Sequence, residues 1–220
     1  MSSQSSRYVR IIIDALRKID YIKPADIPNI DLYMDQVTTF MDKHLESSKR
    51  YTEDKLLTKT MINNYTKNNL LPPPEKKKYS RDHMILLIFI YYLKNIISIN
   101  DIKCILEPLS ELFFNNRGED IDLEGIYREI FDMEKEQAGN LGKDVIRKFE
   151  CAKKTFPNVS NEEEREYLRK FAFICMLSFD VYMKKQMIES IIDGDLLGGR
   201  QEQGQEKQKS ARAEDTSKQG

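Results

Sequence analysis

The chain has 220 residues, of which 40% are apolar and 32% are charged, and its formal net charge is −1. This composition is typical of a soluble globular protein with either one sizeable core or two small domains that share an interface. Because the whole chain is nearly neutral, it has no overall attraction for nucleic acid, and such a function would require an uneven distribution of charge.

Three widely spaced cysteines, Cys104, Cys151 and Cys175, lie in helical patterns. Their odd number argues against a disulfide framework and favours a reducing compartment, so we interpret them as small core residues. The N-terminus lacks the basic and apolar segments of a secretory signal. The most apolar run, Met84 to Leu93, is much shorter than the roughly 20 residues that span a bilayer. The sequence therefore predicts a cytoplasmic protein that is not inserted in a membrane.

Apolar residues recur at three- and four-residue spacing along most of the chain, which predicts an all-α fold. A first helix is expected over Ser6–Asp20. A second helix is expected from about Leu32 to Glu46, after a possible cap at Asp31. Prolines separate the two helices, so residues 1–29 are interpreted as an N-terminal helix and linker.

The next predicted helix, from Leu57 to about Asn68, has two distinct faces. Leu57, Met61 and Tyr65 belong to its apolar stripe. Asparagine tolerates the left-handed conformation of a C-cap, and Pro72 prevents continuation, so this helix should end near Asn68 and Asn69. The face opposite the apolar stripe is polar and free of carboxylates. It contains Lys59, Thr60, Asn63, Thr66 and Lys67.

A proline-rich and lysine-rich loop follows this helix. Pro72–Pro74 precede Lys76, Lys77 and Lys78. Between residues 50 and 81 the chain has eight basic and three acidic side chains, whereas acidic side chains dominate between residues 111 and 136. Lysines on a loop stiffened by prolines are suited to phosphate contacts, although a charge run is also typical of a plain solubilising loop.

Two further helices complete a small helical domain predicted over residues 30–110. Ser80 is expected to cap a long apolar helix that ends near Asn95. Ser98 is expected to cap a short helix that ends near Leu106, before Pro108.

The remainder of the chain predicts a second helical unit over residues 111–193. Helices are expected near Leu123–Glu136, near Gly142–Lys153 and over Ser160–Asp193. The last begins with the capping-box spacing of Ser160 and Glu163 and is apolar on more than one face, so it is either central to the core or half of a dimer interface. Apolar residues nearly vanish over residues 194–220, which predicts a disordered tail.

The order of these elements resembles the DNA-binding domain of MerR-type transcription regulators. Ile62 to Pro72 looks like that family's second helix and the start of its wing, Lys77 to Ser80 looks like the wing, and Ser98 to Ile102 looks like the opening of its fourth helix. Asn63, Asn64 and Asn69 stand where the family has an arginine, a tyrosine and a glycine. The resemblance implies a winged helix-turn-helix domain.

A closer resemblance covers about residues 27–110. The strings Leu32 to Gln36, Thr58 to Tyr65 and Pro72 to Pro74 resemble a bacterial family catalogued only as a domain of unknown function. That resemblance implies no particular activity.

The first functional hypothesis is a DNA-binding transcription regulator that acts as a homodimer. Asparagine can pair with adenine, and lysine or arginine with guanine, so the polar helix face could enter a major groove while the lysines contact phosphates. The pattern fits Tyr65 equally well as a core residue and as a phosphate contact. The predicted DNA-binding residues are Lys59, Thr60, Asn63, Asn64, Tyr65, Thr66, Lys67, Lys76, Lys77, Lys78, Tyr79 and Arg81.

The second hypothesis is a protein-interaction module that keeps the winged-helix scaffold without binding DNA. The nearly neutral chain and the asparagine at position 63 favour it, and residues 171–183 would then form an exposed apolar patch for a partner. The sequence contains no glycine-rich phosphate loop, metal-binding motif or nucleophile motif, so it predicts no enzyme, cofactor or metal site. His44 and His83 are expected to be structural or surface residues.

Overall fold

A computed structural model describes residues 22–115 and 120–194, together with residues 10, 11 and 14. The predicted first helix, Ser6–Asp20, lies outside the described residues except at these three positions, and so does the predicted tail beyond Gly194. The described residues are mostly helical, which confirms the all-α prediction. No helix among them is both long and apolar enough to span a bilayer.

Six α-helices and one short β-ribbon make up the described part of the chain. In chain order the elements are β1 (Leu32–Tyr33), α1 (Met34–His44), α2 (Lys59–Lys67), β2 (Lys78–Tyr79), α3 (Arg81–Leu93), α4 (Ile99–Phe113), α5 (Leu123–Ala152) and α6 (Glu162–Asp193). Short 3₁₀ helices at Pro24–Asp26 and Glu46–Ser48 complete the set. The two strands pair antiparallel, with Leu32 opposite Tyr79 and Tyr33 opposite Lys78.

Helix α3 is the centre of the core. It is apolar on every side, and six of its residues have no exposed surface. A helix of this kind must be covered all round. The buried cluster around it includes residues of α1, α2 and α4 and continues into Leu123, Tyr127 and Ile192. The Tyr127 hydroxyl also donates a hydrogen bond to the carbonyl oxygen of Ile22. The first turns of α5 and the last turn of α6 therefore pack on the same core as the earlier helices.

Helix α4 is longer than the sequence predicted. Ser98 caps it as expected, because its hydroxyl oxygen accepts the Asp101 backbone N–H at 3.2 Å. The predicted end near Leu106 is wrong, since the helix continues through Pro108 to Phe113. Proline removes one helical hydrogen bond, but Leu109 and Phe113 pack against the core beyond it, and that burial offsets the loss.

Two boundaries in the C-terminal helices also differ from prediction. The helices expected near Leu123–Glu136 and Gly142–Lys153 are one continuous helix, α5. Glycine inside a helix costs only about 1 kcal/mol relative to alanine, so the glycines between them do not end it. The cap of α6 is Asn161 rather than Ser160, because the Asn161 side-chain oxygen accepts the backbone N–H groups of Glu163 and Glu164 at 2.9 and 3.2 Å.

The prediction that all three cysteines are core residues is wrong. Cys104 is half-buried, whereas Cys151 on α5 and Cys175 on α6 are exposed. Both exposed thiols lie on the two longest helices of the described chain, α5 and α6. Their helical spacing could not reveal this, since exposure depends on what packs against each face.

Candidate nucleic-acid interface

Helix α2 has the two faces that its sequence predicted. Ile62 and Tyr65 are buried against the core, with exposed fractions of 0% and 7%. The helix begins after Thr58, whose hydroxyl oxygen accepts the Met61 backbone N–H at 3.2 Å. Its outer side carries no carboxylate, so lysine, asparagine and threonine alone face solvent there. The exposed residues are Lys59, Thr60, Asn63, Asn64 and Lys67, and Thr66 is half-buried.

The C-terminus of α2 turns the chain sharply away from the helix axis. Asn69 has φ of 56°, and the Leu70 backbone N–H donates to the Tyr65 carbonyl oxygen at 2.8 Å. This is the left-handed helix ending that asparagine permits. Leu70 and Leu71 are then buried, which fixes the start of the proline-rich segment on the core.

Residues 72–79 are here called the lysine loop, and they contain a tight turn from Glu75 to Lys78. The Lys78 backbone N–H donates to the Glu75 carbonyl oxygen at 2.9 Å, and φ is 49° at Lys76 and 65° at Lys77. Two consecutive left-handed residues are typical of a type I′ hairpin turn, a position usually taken by asparagine and glycine. Lys76 and Lys77 are both exposed at the tip. The sequence therefore places two cations where the backbone favours residues without a bulky side chain.

This strain gives the first expected result. Replacing Lys77 with glycine should raise the free energy of unfolding by about 0.5–1 kcal/mol, because a left-handed conformation is unfavourable for a residue with a Cβ. Urea denaturation of the wild type and of Lys77→Gly measures this difference. Lys143→Gly, at an exposed position inside α5, should instead lower it by about 1 kcal/mol. Equal effects of the two substitutions would contradict the turn geometry.

Buried side chains attach the lysine loop to the core and to α2. Tyr79 is 3% exposed. Burial raises the pKa of its hydroxyl, while a hydrogen bond with the Thr66 side chain acts in the opposite sense. Burial also raises the pKa of Tyr65. Tyr65 and Tyr79 thus belong to the core, and Thr66 joins α2 to the strand that follows the lysine tip.

Other predicted residues have partners at the surface. Lys59 forms an ion pair with Asp35, at the start of α1. The Lys78 ammonium lies 5.3 Å from the centre of the exposed Tyr33 ring. Tyr33 and Asp35 were not predicted to be part of this surface. Sequence periodicity gave no signal for them, because it placed both inside a helix and could not reveal the pairing of β1 with β2.

Arg81 is separated from the lysines by its partners. Its guanidinium donates to the Pro24 carbonyl oxygen at 2.9 Å and lies 3.0 Å from a carboxylate oxygen of Glu124 on α5. Its side chain is mostly buried in these contacts. The structure therefore brings together the exposed face of α2, the lysine loop and β1, and it directs Arg81 toward the N-terminal turn of α5.

The segment that carries this surface also resembles a known family. Residues 22–130 match the DUF1836 family model. The family is described as a domain of unknown function, which supports the expected resemblance to such a domain and extends it beyond residues 27–110. The resemblance to MerR-type regulators stays a prediction. No curated protein and no solved structure matches the chain at a significant level. The DUF1836 segment includes α1 to α4, the lysine loop and the first turns of α5, which pack on the shared core.

His83 connects the lysine loop of the DUF1836 segment to α3. Its Nδ1 accepts the Ser80 backbone N–H at 3.0 Å, so the ring proton is on Nε2, which lies 3.3 Å from the Pro73 carbonyl oxygen. The ring is 4% exposed and packs edge-on against Tyr79 and Phe114. His83 is therefore a structural residue, as expected, and it fixes the proline segment against the N-terminus of α3.

This arrangement predicts a pH dependence of stability. Burial lowers the pKa of His83, and the carbonyl of Pro73 and the carboxylates of Asp82 and Asp31 oppose that effect. The unfolded chain takes up the proton first, near its ordinary pKa of about 6.5. The free energy of unfolding should therefore be highest above pH 7 and fall as the pH decreases below about 6.5.

Thermal melts of the wild type and of His83→Gln between pH 7.5 and 5.5 measure this contribution. Glutamine can still accept the Ser80 N–H but does not titrate. The melting temperature of the wild type should fall more steeply over this interval than that of the variant. An identical slope in the two proteins would show that His83 does not titrate as its surroundings require.

Proposed function

We propose that this protein binds double-stranded DNA through α2 and the lysine loop, as a transcription regulator. The observation that carries the proposal is the exposed face of α2, which is polar, partly cationic and free of carboxylates along the whole helix. An α-helix with its side chains is about 10–12 Å in diameter, which a major groove about 12 Å wide accommodates. The buried side of the same helix holds it rigidly on the core, which supports its use as a reading element.

The exposed side chains supply the chemistry for reading bases. Asn63 can bind adenine through two hydrogen bonds, and Lys59 and Lys67 can donate to guanine. Thr60, Asn64 and Thr66 provide secondary contacts. The ion pair between Lys59 and Asp35 is largely exposed, and such pairs contribute about 0–1 kcal/mol. A phosphate or a base edge can therefore replace Asp35 as the partner of Lys59 at small cost.

The lysine loop supplies contacts that do not depend on sequence. Lys76, Lys77 and Lys78 follow three prolines and sit on a hydrogen-bonded turn, so their backbone is ordered before any ligand binds. Ordering in advance reduces the entropy lost on binding. Phosphate contacts by lysine add affinity that falls with salt. Arg81 is not part of the proposed surface, because its contacts with Glu124 and Pro24 hold the guanidinium away from the lysines.

A protein-interaction module on the same scaffold is the second candidate, with its partner on α2 and the lysine loop rather than on the patch expected at residues 171–183. The carboxylate of Asp35 pairs with Lys59, Glu75 is the first residue of the lysine turn, and the exposed Tyr33 ring adds an apolar contact. A mixed surface of this kind is also typical of the edge of a protein interface. The two candidates differ in what binds to α2.

Selection from a library of random-sequence duplexes tests the proposed function. The wild-type protein should enrich a short motif, and Asn63→Ala should relax the preference at one position of that motif. Gln137→Ala, an exposed amide on α5, is the matched control and should leave the motif unchanged. Absence of any enriched motif at low salt would reject sequence-specific DNA binding and favour the protein-interaction module.

A further inference from the structure

The outer side of α6 exposes a stripe of large apolar residues. Six of them are each more than half exposed: Tyr167, Phe171, Ile174, Phe179, Val181 and Tyr182. Tyr167, Phe171, Ile174 and Val181 lie on the alternating four- and three-residue steps of a coiled-coil seam, in which Ser178 is the polar position. Phe179 and Tyr182 lie beside this seam. Four of the six are aromatic, the residue type most enriched at the centres of protein interfaces.

The stripe is not the side of α6 that packs on α5. That inner side is occupied by Phe173, whose ring centre lies 5.5 Å from that of Phe149, and by Asp180, which lies 2.5 Å from Lys148. Arg169 also donates from this side to the Thr155 carbonyl oxygen at 3.1 Å. Among the residues that the structure describes, the packing of α6 on α5 therefore leaves the stripe uncovered.

Charges at the two ends of the stripe have opposite signs. Glu163 and Glu164 follow the Asn161 cap, and Lys184 and Lys185 follow Tyr182. The stripe is centred between Ile174 and Cys175. If two copies of α6 lie antiparallel about that centre, Glu164 of each copy faces Lys185 of the other, and Tyr167 faces Tyr182. A parallel pairing would place the glutamates against each other, so the charge pattern selects the antiparallel arrangement.

We propose that a second copy of this chain covers the stripe, through an antiparallel and two-fold symmetric pairing of α6. Aromatic side chains bury about 150–250 Å² each, so six large residues that are more than half exposed offer on the order of 600 Å² per copy. A standard interface buries roughly 800 Å² per partner, and the flanking charged residues supply the rest. The proposal concerns α6 alone and does not depend on DNA binding.

Sedimentation equilibrium of the full chain tests the pairing. The wild type should have twice the chain mass of 25.9 kDa. Ile174→Glu places a charge at the centre of the stripe and should give the single-chain mass with an unchanged helical circular dichroism spectrum. Tyr51→Glu changes a residue that is equally exposed but lies far away in the sequence, and it should remain a dimer. A monomeric wild type at about 100 µM, well above a micromolar Kd, or a dimeric Ile174→Glu, would overturn the proposal.

Cysteine cross-linking tests the centre and the direction of the pair without relying on a destabilising substitution. Mild oxidation with copper phenanthroline should produce a reducible covalent dimer that Cys175→Ser abolishes and Cys151→Ser does not. With both cysteines replaced by serine, the double variant Glu164→Cys and Lys185→Cys should cross-link, and neither single variant should do so. Cross-linking by each single variant would indicate a parallel pair, and no cross-linking of the wild type through Cys175 would overturn the two-fold centre.

Discussion

Removing the three charges of the lysine loop should weaken DNA binding on every sequence alike. We expect Lys76→Gln, Lys77→Gln and Lys78→Gln together to lower duplex affinity by ~10–100-fold near 100 mM salt, because each phosphate contact contributes about 0.9 to the slope of log affinity against log salt. The slope itself should become shallower by about two to three. Fluorescence anisotropy of a labelled duplex, titrated at several salt concentrations, measures both quantities.

A matched triple variant distinguishes this effect from a loss of overall charge. Lys135, Lys143 and Lys154 are exposed lysines in or just after α5, outside the proposed surface. Changing all three to glutamine alters the net charge by the same amount and should leave the slope nearly unchanged. Equal losses in the two triple variants would mean that the lysine loop makes no specific phosphate contacts.

Truncating two neighbouring residues of α2 should affect two different properties, stability at Ile62 and DNA binding at Asn63. Ile62 has no exposed surface, so Ile62→Ala should reduce the free energy of unfolding by about 2–5 kcal/mol. For a chain of this size that corresponds to roughly 5–15 °C in melting temperature. Asn63 is exposed, and Asn63→Ala should leave the melting temperature within about 2 °C, since alanine is a better helix former.

Asn63→Ala should lower the affinity for the preferred duplex by about 5–100-fold and have little effect on unrelated sequences. Thermal denaturation and duplex titration give the melting temperature and the duplex affinity of each variant. A large loss of stability in Asn63→Ala would contradict the assignment of faces on α2. Equal affinities of wild type and Asn63→Ala for every sequence would remove Asn63 from base reading.

Local signals in the sequence predicted the parts of the fold that depend on nearby residues. The amphipathic pattern of α2, the left-handed ending at Asn69 and the cap at Ser98 all follow from side chains within a few positions. The burial of α3 follows from its uninterrupted apolar sequence. These features need no knowledge of the tertiary structure, which is why the sequence predicted them correctly.

Features that depend on distant partners could not be predicted in this way. The pairing of β1 with β2 joins residues more than forty positions apart, and each strand has only two residues, too few for a periodic signal. The ion pair of Arg81 with Glu124 also joins residues that are distant in the sequence. Helix α4 continues through Pro108 because Leu109 and Phe113 pack against the core beyond it. A proline in the sequence alone predicts the end of a helix.

The residues of the proposed DNA-binding surface differ in the same way. The exposed residues of α2 and the tip of the lysine loop were predicted from the sequence, since their side chains point away from the apolar stripe or sit in a charged turn. Tyr65 and Tyr79 required the structure, because a tyrosine can serve either as a core residue or as a phosphate contact. Tyr33 and Asp35 join the surface only through β1.

Backbone chemical-shift mapping with a short duplex is the most direct test of the proposed DNA-binding surface. At low salt, the largest shifts should fall on Lys59 to Lys67 and on Lys76 to Lys78, with little change along the outer stripe of α6. Shifts confined to other helices, or no shifts at all with excess duplex, would contradict the proposal that α2 and the lysine loop bind DNA.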